Sequence, residues 1–404
     1  MPPTDPLHVD VLVVGAGPAG STAAIVLARS GRSVLMIDKA DFPRDKCCGD
    51  GLTTLALREL ETVGLRPEHV PSWQTVTAAW LRSPSGREVC LPMPADGIYA
   101  ATTPRRELDA ALVQLARGAG ADVREGCSLS ALLQASDHVD AVVDGIGAVR
   151  ASYIIAADGM WSTTRKLLGV GEPGYLGEWH AFRQYASNVT GTAAERLYVW
   201  FEPDLLPGYA WSFPLPDGRA NIGFGVVRDG THSGADMKHL WAGLIDRPHI
   251  RAALGPDATL DDRHTAWPIP AGIDRAVLTA DRTLFVGDAA RATDVMTGEG
   301  IGQAVLTGRL AAEAVLHGAS PVSVRAHYER HVRQHLFADH RMSKVLNGWL
   351  AKPLLARGAV RVVGLSGWTR RNFVRWMFED EPRAVLFTPR RWHRRFLRQP
   401  GTYR

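Results

Sequence analysis

Several features are scarce or missing in this 404-residue chain, and each absence excludes a class of protein. The four cysteines, two of them adjacent, match neither a disulfide framework nor a zinc pattern, and the fourteen histidines lack ligand spacing. No stretch approaches the roughly 18 consecutive apolar residues of a membrane-spanning helix. No internal repeat or low-complexity segment stands out. We therefore expect a globular protein with no bound metal.

The first residues, from Met1 to His8, lack a basic region that leads into an apolar segment. We expect no cleaved signal and a cytoplasmic location. An apolar content of 46% and a charged content of 22% are ordinary for a globular protein, and the length allows two or three domains.

The net charge of +4 is unevenly distributed along the chain. From His340 to Arg404, thirteen Arg and two Lys face three acidic residues, so this part carries +12 and the remainder carries −8. The same part contains Trp349, Trp368, Trp376 and Trp392. Basic residues with interfacial tryptophans suggest peripheral contact with anionic lipid, at the inner face of the cell membrane. A solvated basic face is the alternative, and no nucleic-acid-binding motif accompanies the charge.

The stretch from Val11 to Asp38 reads as a complete βαβ unit. An apolar strand is followed by Gly15-Ala-Gly17-Pro-Ala-Gly20, a helix and a second apolar strand that ends at Asp38. The glycines permit a tight turn, close approach of a pyrophosphate, and close packing of helix on strand. The helix N-terminus can bind phosphate, and an acid at this place can bind a ribose hydroxyl. The unit therefore predicts a dinucleotide site.

Three later motifs indicate that the dinucleotide is FAD. One strand ends in Asp158-Gly159, and another ends in Gly287-Asp288, where a carboxylate can bind a ribityl hydroxyl. Downstream, Thr297-Gly298-Glu299-Gly300-Ile301 begins a helix, whose N-terminus could stabilise an anionic reduced flavin. Each motif alone is unspecific, but their order and spacing together are informative.

The strand and helix patterns predict an α/β fold: a doubly wound FAD-binding domain with an inserted antiparallel β-sheet substrate domain and a helical C-terminal extension. We assign residues 1–170 and 276–320 to the first domain, 171–275 to the second and 321–404 to the extension. A hairpin at about residues 74–103 contributes to the substrate domain. Ala141 to Val149 is expected to form one strand.

Two further segments carry a family resemblance: Pro43-x-x-Lys46-x-Cys48-Gly49-x-Gly51, and Tyr209-x-Trp211-x-Phe213-Pro214 followed by Asn221-Ile-Gly223-x-Gly225. They are similar to two segments of the geranylgeranyl reductase family of FAD-dependent oxidoreductases, which belongs to the glutathione-reductase-type flavoproteins of the para-hydroxybenzoate hydroxylase superfamily. The resemblance covers about Val11 to Leu316 and is closest to actinobacterial menaquinone reductases. The chain departs from the family where Asp294-Val295 replaces the usual Asn-Pro.

The motifs and the resemblance together imply a set of FAD contacts: Gly15, Gly17, Ala19, Gly20, Asp38, Lys39, Lys46, Cys48, Gly49, Gly51, Arg106, Asp158, Gly159, Gly287, Asp288, Gly298, Gly300 and Ile301. They also imply a substrate wall: Gly49, Tyr209, Trp211, Phe213 and Pro214. Candidate catalytic residues are Cys48, Tyr209 and Trp211. Cys48 would pack beside the flavin or deliver a proton, with Tyr209 as the alternative donor. A redox disulfide between Cys47 and Cys48 is strained, and inert thiols are commoner.

The resemblance implies FAD-dependent reduction of carbon–carbon double bonds in a polyprenyl chain, such as that of menaquinone or a geranylgeranyl lipid. One alternative is a flavin monooxygenase or halogenase of a polyketide or aromatic metabolite, although a halogenase would carry Trp-x-Trp-x-Ile-Pro at residues 209–214. Another is a flavoprotein that binds isoprenoids without turnover. A single nucleotide motif leaves the electron donor open between NAD(P)H, ferredoxin and another flavoprotein.

Overall fold

A computed structural model describes residues 5–230, 234–385, 388 and 398–404, so Trp392 lies outside the described residues. The strands are β1 (Leu7–Val14), β2 (Val34–Ile37), β3 (Gly51–Leu52), β4 (Gln74–Thr75), β5 (Ala78–Arg82), β6 (Glu88–Pro92), β7 (Ala101–Thr102), β8 (Asp122–Arg124), β9 (Leu129–Gln134), β10 (Val139–Val143), β11 (Gly147–Ala156), β12 (Trp179–Ser187), β13 (Leu197–Trp200), β14 (Tyr209–Leu215), β15 (Arg219–Val227), β16 (Thr259–Leu260), β17 (Thr265–Ile269), β18 (Thr279–Ala280) and β19 (Thr283–Phe285). The helices are α1 (Pro18–Arg29), α2 (Thr54–Thr62), α3 (Arg105–Gly118), α4 (Thr163–Leu167), α5 (Gly234–Ile245), α6 (Pro248–Leu254), α7 (Ile301–His317), α8 (Pro321–Val332), α9 (Ala338–Leu350), α10 (Pro353–Val363) and α11 (Gly367–Met377). One π-helical turn, Arg333–Phe337, joins α8 to α9.

The first sheet has the order β18-β19-β11-β1-β2-β8, and the strands from β19 to β8 are parallel. Alternate residues of β1 are buried on opposite faces, because Val11 and Val13 contact the helices while Leu12 and Val14 contact β9 and β10. Burial on both faces explains why these strands are almost continuously apolar. The predicted nucleotide-binding architecture is confirmed.

One sequence prediction in this sheet is wrong. The segment from Ala141 to Val149 is not a single strand, because β10 and β11 pair antiparallel through a turn at residues 144–146. Gly145 takes a φ of +83° in that turn, a conformation that favours glycine. The apolar residues on both sides of the turn concealed it.

The second sheet has the order β16-β12-β15-β14-β13-β5-β6, with β17 also paired to β12. It is antiparallel except where β13 runs parallel to β5. The β5–β6 hairpin therefore joins this sheet, as the alternating pattern before residue 103 predicted. Helices α5 and α6 cover one face, where Phe224 stacks on Trp241, and these helices were not predicted.

The C-terminal extension is helical, as predicted, and packs on both sheets. The Tyr328 hydroxyl of α8 donates a 2.5 Å hydrogen bond to the Phe285 carbonyl of the first sheet. Val360 of α10 and Val374 of α11 belong to the same buried cluster as Leu81 of β5. No helix within the described part of the chain is long and apolar enough to cross a membrane.

Candidate active site

The carboxyl ends of four parallel strands meet at one edge of the first sheet. Gly15 follows β1, Asp38 follows β2, Asp158 comes after β11, and Asp288 comes after β19. All four residues line one cavity of about 550 Å³, whose opposite wall is formed by β14 and β17 of the second sheet. The carboxyl edge of a parallel sheet is the usual ligand site of doubly wound folds.

The glycine motif leaves the N-terminus of α1 open toward this cavity. Gly15 has a φ of +102°, and a Cβ there would lie 2.4 Å from the Ala157 carbonyl oxygen. Gly17 is the N-cap of α1 and has no side chain that could accept a hydrogen bond. In the described part of the chain, the N–H groups of the first turn of α1 therefore have no side-chain cap. Gly17 and Ala19 line the cavity, whereas Gly20 permits close packing, since its Cβ would lie 1.8 Å from the Gly15 carbonyl oxygen.

Asp38 is held at the end of β2 by two backbone donors. Its carboxylate accepts hydrogen bonds from the N–H groups of Ala16 at 2.8 Å and Ala40 at 2.9 Å. Arg105 also lines the cavity, and its guanidinium forms a buried two-point contact with Asp109 at 2.7 and 2.8 Å. Arg106, the predicted contact, is exposed and outside the described wall of the cavity. Arg105, and not Arg106, is therefore the arginine that faces the cavity.

Two acidic residues that were both predicted to contact FAD, Asp158 and Asp288, differ in their hydrogen bonds within the protein. Asp158 accepts hydrogen bonds from the Ser162 hydroxyl at 2.6 Å, the Thr164 N–H at 2.8 Å and the Thr164 hydroxyl at 2.9 Å. These contacts tie it to the start of α4, while burial raises its pKa. The carboxylate of Asp288 accepts one long hydrogen bond in the described structure, 3.4 Å from the Thr293 hydroxyl, and lies near the Lys46 ammonium. Its carboxylate is therefore free to accept hydrogen bonds from a ligand.

The other end of the cavity has an aromatic wall. Tyr209, Trp211 and Phe213 of β14 line it, together with Trp179, Trp267 and Ile269. Gly51 faces this wall so closely that a Cβ there would lie 2.8 Å from the Phe213 ring. Pro214, predicted as a substrate contact, is outside the described wall, and its carbonyl accepts a 2.5 Å hydrogen bond from the Thr102 hydroxyl.

The predicted loop places Lys46, Cys48 and Gly49 on the cavity. Burial raises the pKa of the Cys48 thiol to about 11, so the sulfur stays protonated at neutral pH. Burial lowers the pKa of Lys46 to about 8, and its ammonium lies 3.4 Å from the centroid of the Trp267 ring. Cys47 and Cys48 are both free thiols.

A polar network behind the aromatic wall was not predicted. The Trp211 indole donates a 3.1 Å hydrogen bond to Asn221 Oδ1, and the Asn221 amide donates to both the Cys48 carbonyl and Asp50 Oδ2 at 2.8 Å. The Tyr185 hydroxyl donates to the same Asp50 oxygen at 2.7 Å. The network fixes the Cys48 loop against β14 and β15. The Asn-Ile-Gly segment after the aromatic motif was the available signal.

Glu299 lies in the motif that precedes α7, and no role was predicted for it from the sequence. It lines the cavity, and its pKa is raised to about 8 by burial and by Glu379 nearby. The Tyr209 hydroxyl donates to the Thr297 carbonyl in the same loop. Gly298, Gly300 and Ile301 also line the cavity, and Gly300 is the N-cap of α7 without a side-chain cap in the described structure.

Comparison with known proteins decides the family. A family model described as "FAD binding domain" matches residues 8–335, which is most of the chain. The chain belongs to this FAD-binding family. The comparison confirms the predicted cofactor, FAD, and the predicted oxidoreductase class.

The relatives of this FAD-binding chain include a menaquinone reductase of Mycolicibacterium smegmatis, 34% identical over 80% of this chain and 82% of that protein. A digeranylgeranylglycerophospholipid reductase of Methanopyrus kandleri is 31% identical over 76% of each protein. A geranylgeranyl bacteriochlorophyll reductase-like structure from Thermoplasma acidophilum superposes with a TM-score of 0.79 at 24% identity, covering 93% of this chain and 99% of that one. The last comparison supports the fold alone.

Proposed function

We propose that the protein is an FAD-dependent reductase of carbon–carbon double bonds in a polyprenyl lipid. The observation that carries the proposal is one continuous cavity with a nucleotide-binding end and an aromatic end. The named relatives act on menaquinone and on a digeranylgeranyl lipid, and both compounds carry isoprenoid chains. A flavin can supply a hydride, and the cavity can hold an apolar chain beside it.

The residues around the cavity fit FAD by their donor chemistry. The open N-terminus of α1 would hold the pyrophosphate, and Asp38 the adenosine ribose. Asp288 would accept a ribityl hydroxyl, and the N-terminus of α7 would face the pyrimidine edge of the ring. Lys39, Lys46, Cys48 and Gly159 complete the proposed contacts.

The aromatic wall would exclude water and oxygen while it orients the alkene. Each five-carbon isoprene unit gains about 4 kcal/mol on leaving water, at about 0.8 kcal/mol per carbon. Such a lipid stays in the bilayer, and the cavity offers it no more apolar surroundings than the bilayer does. Capture therefore requires the protein to sit at the membrane surface.

The proposed membrane contact is the surface of α9, α10 and α11, which we call the basic apolar surface. Its exposed apolar side chains are Val345, Trp349, Leu354, Leu355, Val362, Leu365 and Trp368. Its exposed basic side chains, without ion pairs to described residues, are Arg341, Lys352, Arg357, Arg361 and Arg371. No acidic residue occurs in the sequence from His340 to Phe378. Apolar side chains surrounded by cations fit an anionic lipid surface.

Replacing Leu354 and Leu365 by Ser should weaken binding to phosphatidylglycerol vesicles at least tenfold, because each leucine gains about 1.5–3 kcal/mol on burial. Co-sedimentation measures the partition. The matched control is Leu133→Ser, since Leu133 is 69% exposed on β9, away from this surface. Equal binding by the double variant, or equal binding to phosphatidylcholine vesicles, would contradict the proposal.

The function is tested by mass spectrometry of the lipid. The FAD-loaded protein, reduced with dithionite under argon, should add two hydrogens per reduced double bond to the isoprenoid chain of menaquinone or of a geranylgeranyl lipid. NADH, NADPH and reduced ferredoxin can then be compared as reductants. Lipid that is retained without any change of mass would favour the non-catalytic binding protein.

A further inference from the structure

Three carboxyl groups, the buried Asp294 and the partly buried Glu299 and Glu379, lie around one guanidinium behind the loop of residues 293–300. Arg383 Nε lies 3.3 Å from Asp294 Oδ2, and Arg383 Nη2 lies 3.3 Å from Glu379 Oε1. Glu299 belongs to the same electrostatic cluster and faces the main cavity. If all three acids were ionised, the cluster would carry a net charge of −2 in a poorly solvated place. Buried acids in this position keep protons.

The contacts decide which acid is ionised. Asp294 Oδ1 accepts the N–H and the hydroxyl of Thr297, both at 2.9 Å, and Asp294 Oδ2 accepts the Ser343 hydroxyl at 2.8 Å. These donors and Arg383 lower the pKa of Asp294. The carboxyl of Glu299 makes no hydrogen bond to any residue that the structure describes. Burial and the neighbouring acid raise the pKa values of Glu299 to about 8 and Glu379 to about 7.

A second, smaller cavity lies on the far side of the loop. Its volume of about 90 Å³ corresponds to about three water molecules. Glu379, Gln303 and Arg383 line it, and Thr293 lines both cavities. Gln303 Oε1, Arg383 Nη1 and His340 Nδ1 are buried without a hydrogen-bond partner in the described structure. Buried polar atoms of this kind are usually satisfied by water.

We propose that Glu299 is the proton donor of the alkene reduction and that Glu379 and the smaller cavity return the proton. The inference rests on the proposed function. One alkene carbon accepts the hydride that the reduced flavin supplies, with both electrons of the new C–H bond. The other carbon takes the proton of Glu299, using the electron pair of the alkene. The O–H bond of Glu299 breaks, Glu299 becomes a carboxylate, and a proton from Glu379 or solvent restores it.

The two donors predicted from sequence suit this role less well. The Tyr209 hydroxyl already donates its proton to the Thr297 carbonyl. Burial raises the pKa of the Cys48 thiol to about 11, so this thiol is a weaker acid than Glu299. The charged and titratable groups around Glu299 are Asp294, Glu379, Arg383, Tyr209 and Cys48, with His335, Asp339, His340 and Glu381 around the smaller cavity.

The first test is Glu299→Gln, which keeps the shape and removes the proton. Lipid-dependent reoxidation of the reduced flavin should fall about 10²–10⁴-fold, while reduction of the flavin by dithionite is unchanged. Glu299→Asp should restore part of the rate. The control, Glu313→Gln, alters an acid of α7 that pairs with Arg309 away from the cavity. A rate in Glu299→Gln equal to that of the parent would overturn the proposal.

The second test does not need turnover. The infrared carbonyl band of a protonated carboxylic acid should titrate near pH 8 in the parent and be absent in Glu299→Gln.

The pH dependence of activity is a third test. Activity requires the protonated acid, so it should fall as the pH rises through about 8. Glu379→Gln removes the neighbouring charge and should shift this fall to lower pH. If activity falls at the same pH in Glu379→Gln as in the parent, Glu379 does not influence the pKa of Glu299, which would count against the proposal. A parent that leaves every lipid unreduced would refute the proposed function, whereas the infrared titration would still report on Glu299.

Discussion

At the scale of the residue, the carboxylates at the carboxyl ends of two parallel strands differ in their hydrogen-bond partners. Asp158 after β11 satisfies three donors of its own chain, whereas Asp288 after β19 is left with one contact at 3.4 Å. A carboxylate that lines a cavity without short protein contacts is available to a ligand. Asp288 is therefore expected to contribute more to FAD affinity than Asp158.

Asp288→Ala should raise the dissociation constant of FAD by about tenfold or more, because a hydrogen bond to a charged group contributes about 1.5–3 kcal/mol. Fluorescence titration of the apoprotein with FAD measures the change. Asp144→Ala, in the exposed turn between β10 and β11, is the control and should bind FAD like the parent. An unchanged constant in Asp288→Ala would show that the carboxylate does not reach the cofactor.

Some site residues could be predicted from the sequence and others could not. The glycine motif, Asp38 and Asp288 could be placed because each directly follows an apolar strand. Arg105 was missed in favour of Arg106, because a pair of arginines at a helix start does not reveal which one faces inward. The spacing of four residues from Arg105 to Asp109 was the available signal. Glu299 and Glu379 are 80 residues apart, and no periodicity predicts their proximity.

At the scale of the element, the C-terminal helices are part of the core rather than an appendage. The sequence predicted their helical character, since helical periodicity is local, but not their partners. Asp380 follows α11 and is fully buried between Arg58 of α2 and Arg375 of α11. Thr402 also forms a bridge with Ile98. These contacts join the end of the chain to the region around β7.

Asp380→Asn should lower the free energy of unfolding by about 3–5 kcal/mol, because it leaves the buried guanidinium of Arg375 and the partly buried guanidinium of Arg58 without their counter-ion. Urea unfolding, followed by circular dichroism, measures the loss. The matched control is Asp246→Asn, which breaks the exposed pair with Arg251 and should cost no more than about 1 kcal/mol. Equal losses in the two variants would mean that the buried pair is not structural.

At the scale of the molecule, the two sheets enclose a cavity that neither could form alone. The nucleotide-binding half was predictable, because parallel strands place their carboxyl ends at one edge. The opposite wall was only partly predictable, since it requires the packing of β14 and β17 against the loop from Lys46 to Gly51. In the proposed membrane contact, the basic apolar surface would lie on an anionic bilayer, from which an apolar substrate could enter the cavity.

The most direct test of the reductase account is a single-turnover stopped-flow measurement of the reduced, FAD-loaded protein. One syringe carries menaquinone in detergent under argon, and a parallel experiment uses air-saturated buffer that contains a phenol in place of the lipid. We expect the lipid to reoxidise the flavin faster than oxygen does, with a gain of two hydrogens in the prenyl chain. If the lipid leaves the flavin reduced, while oxygen reoxidises it and an oxygen atom appears in an added phenol, the protein is a monooxygenase and the account is wrong.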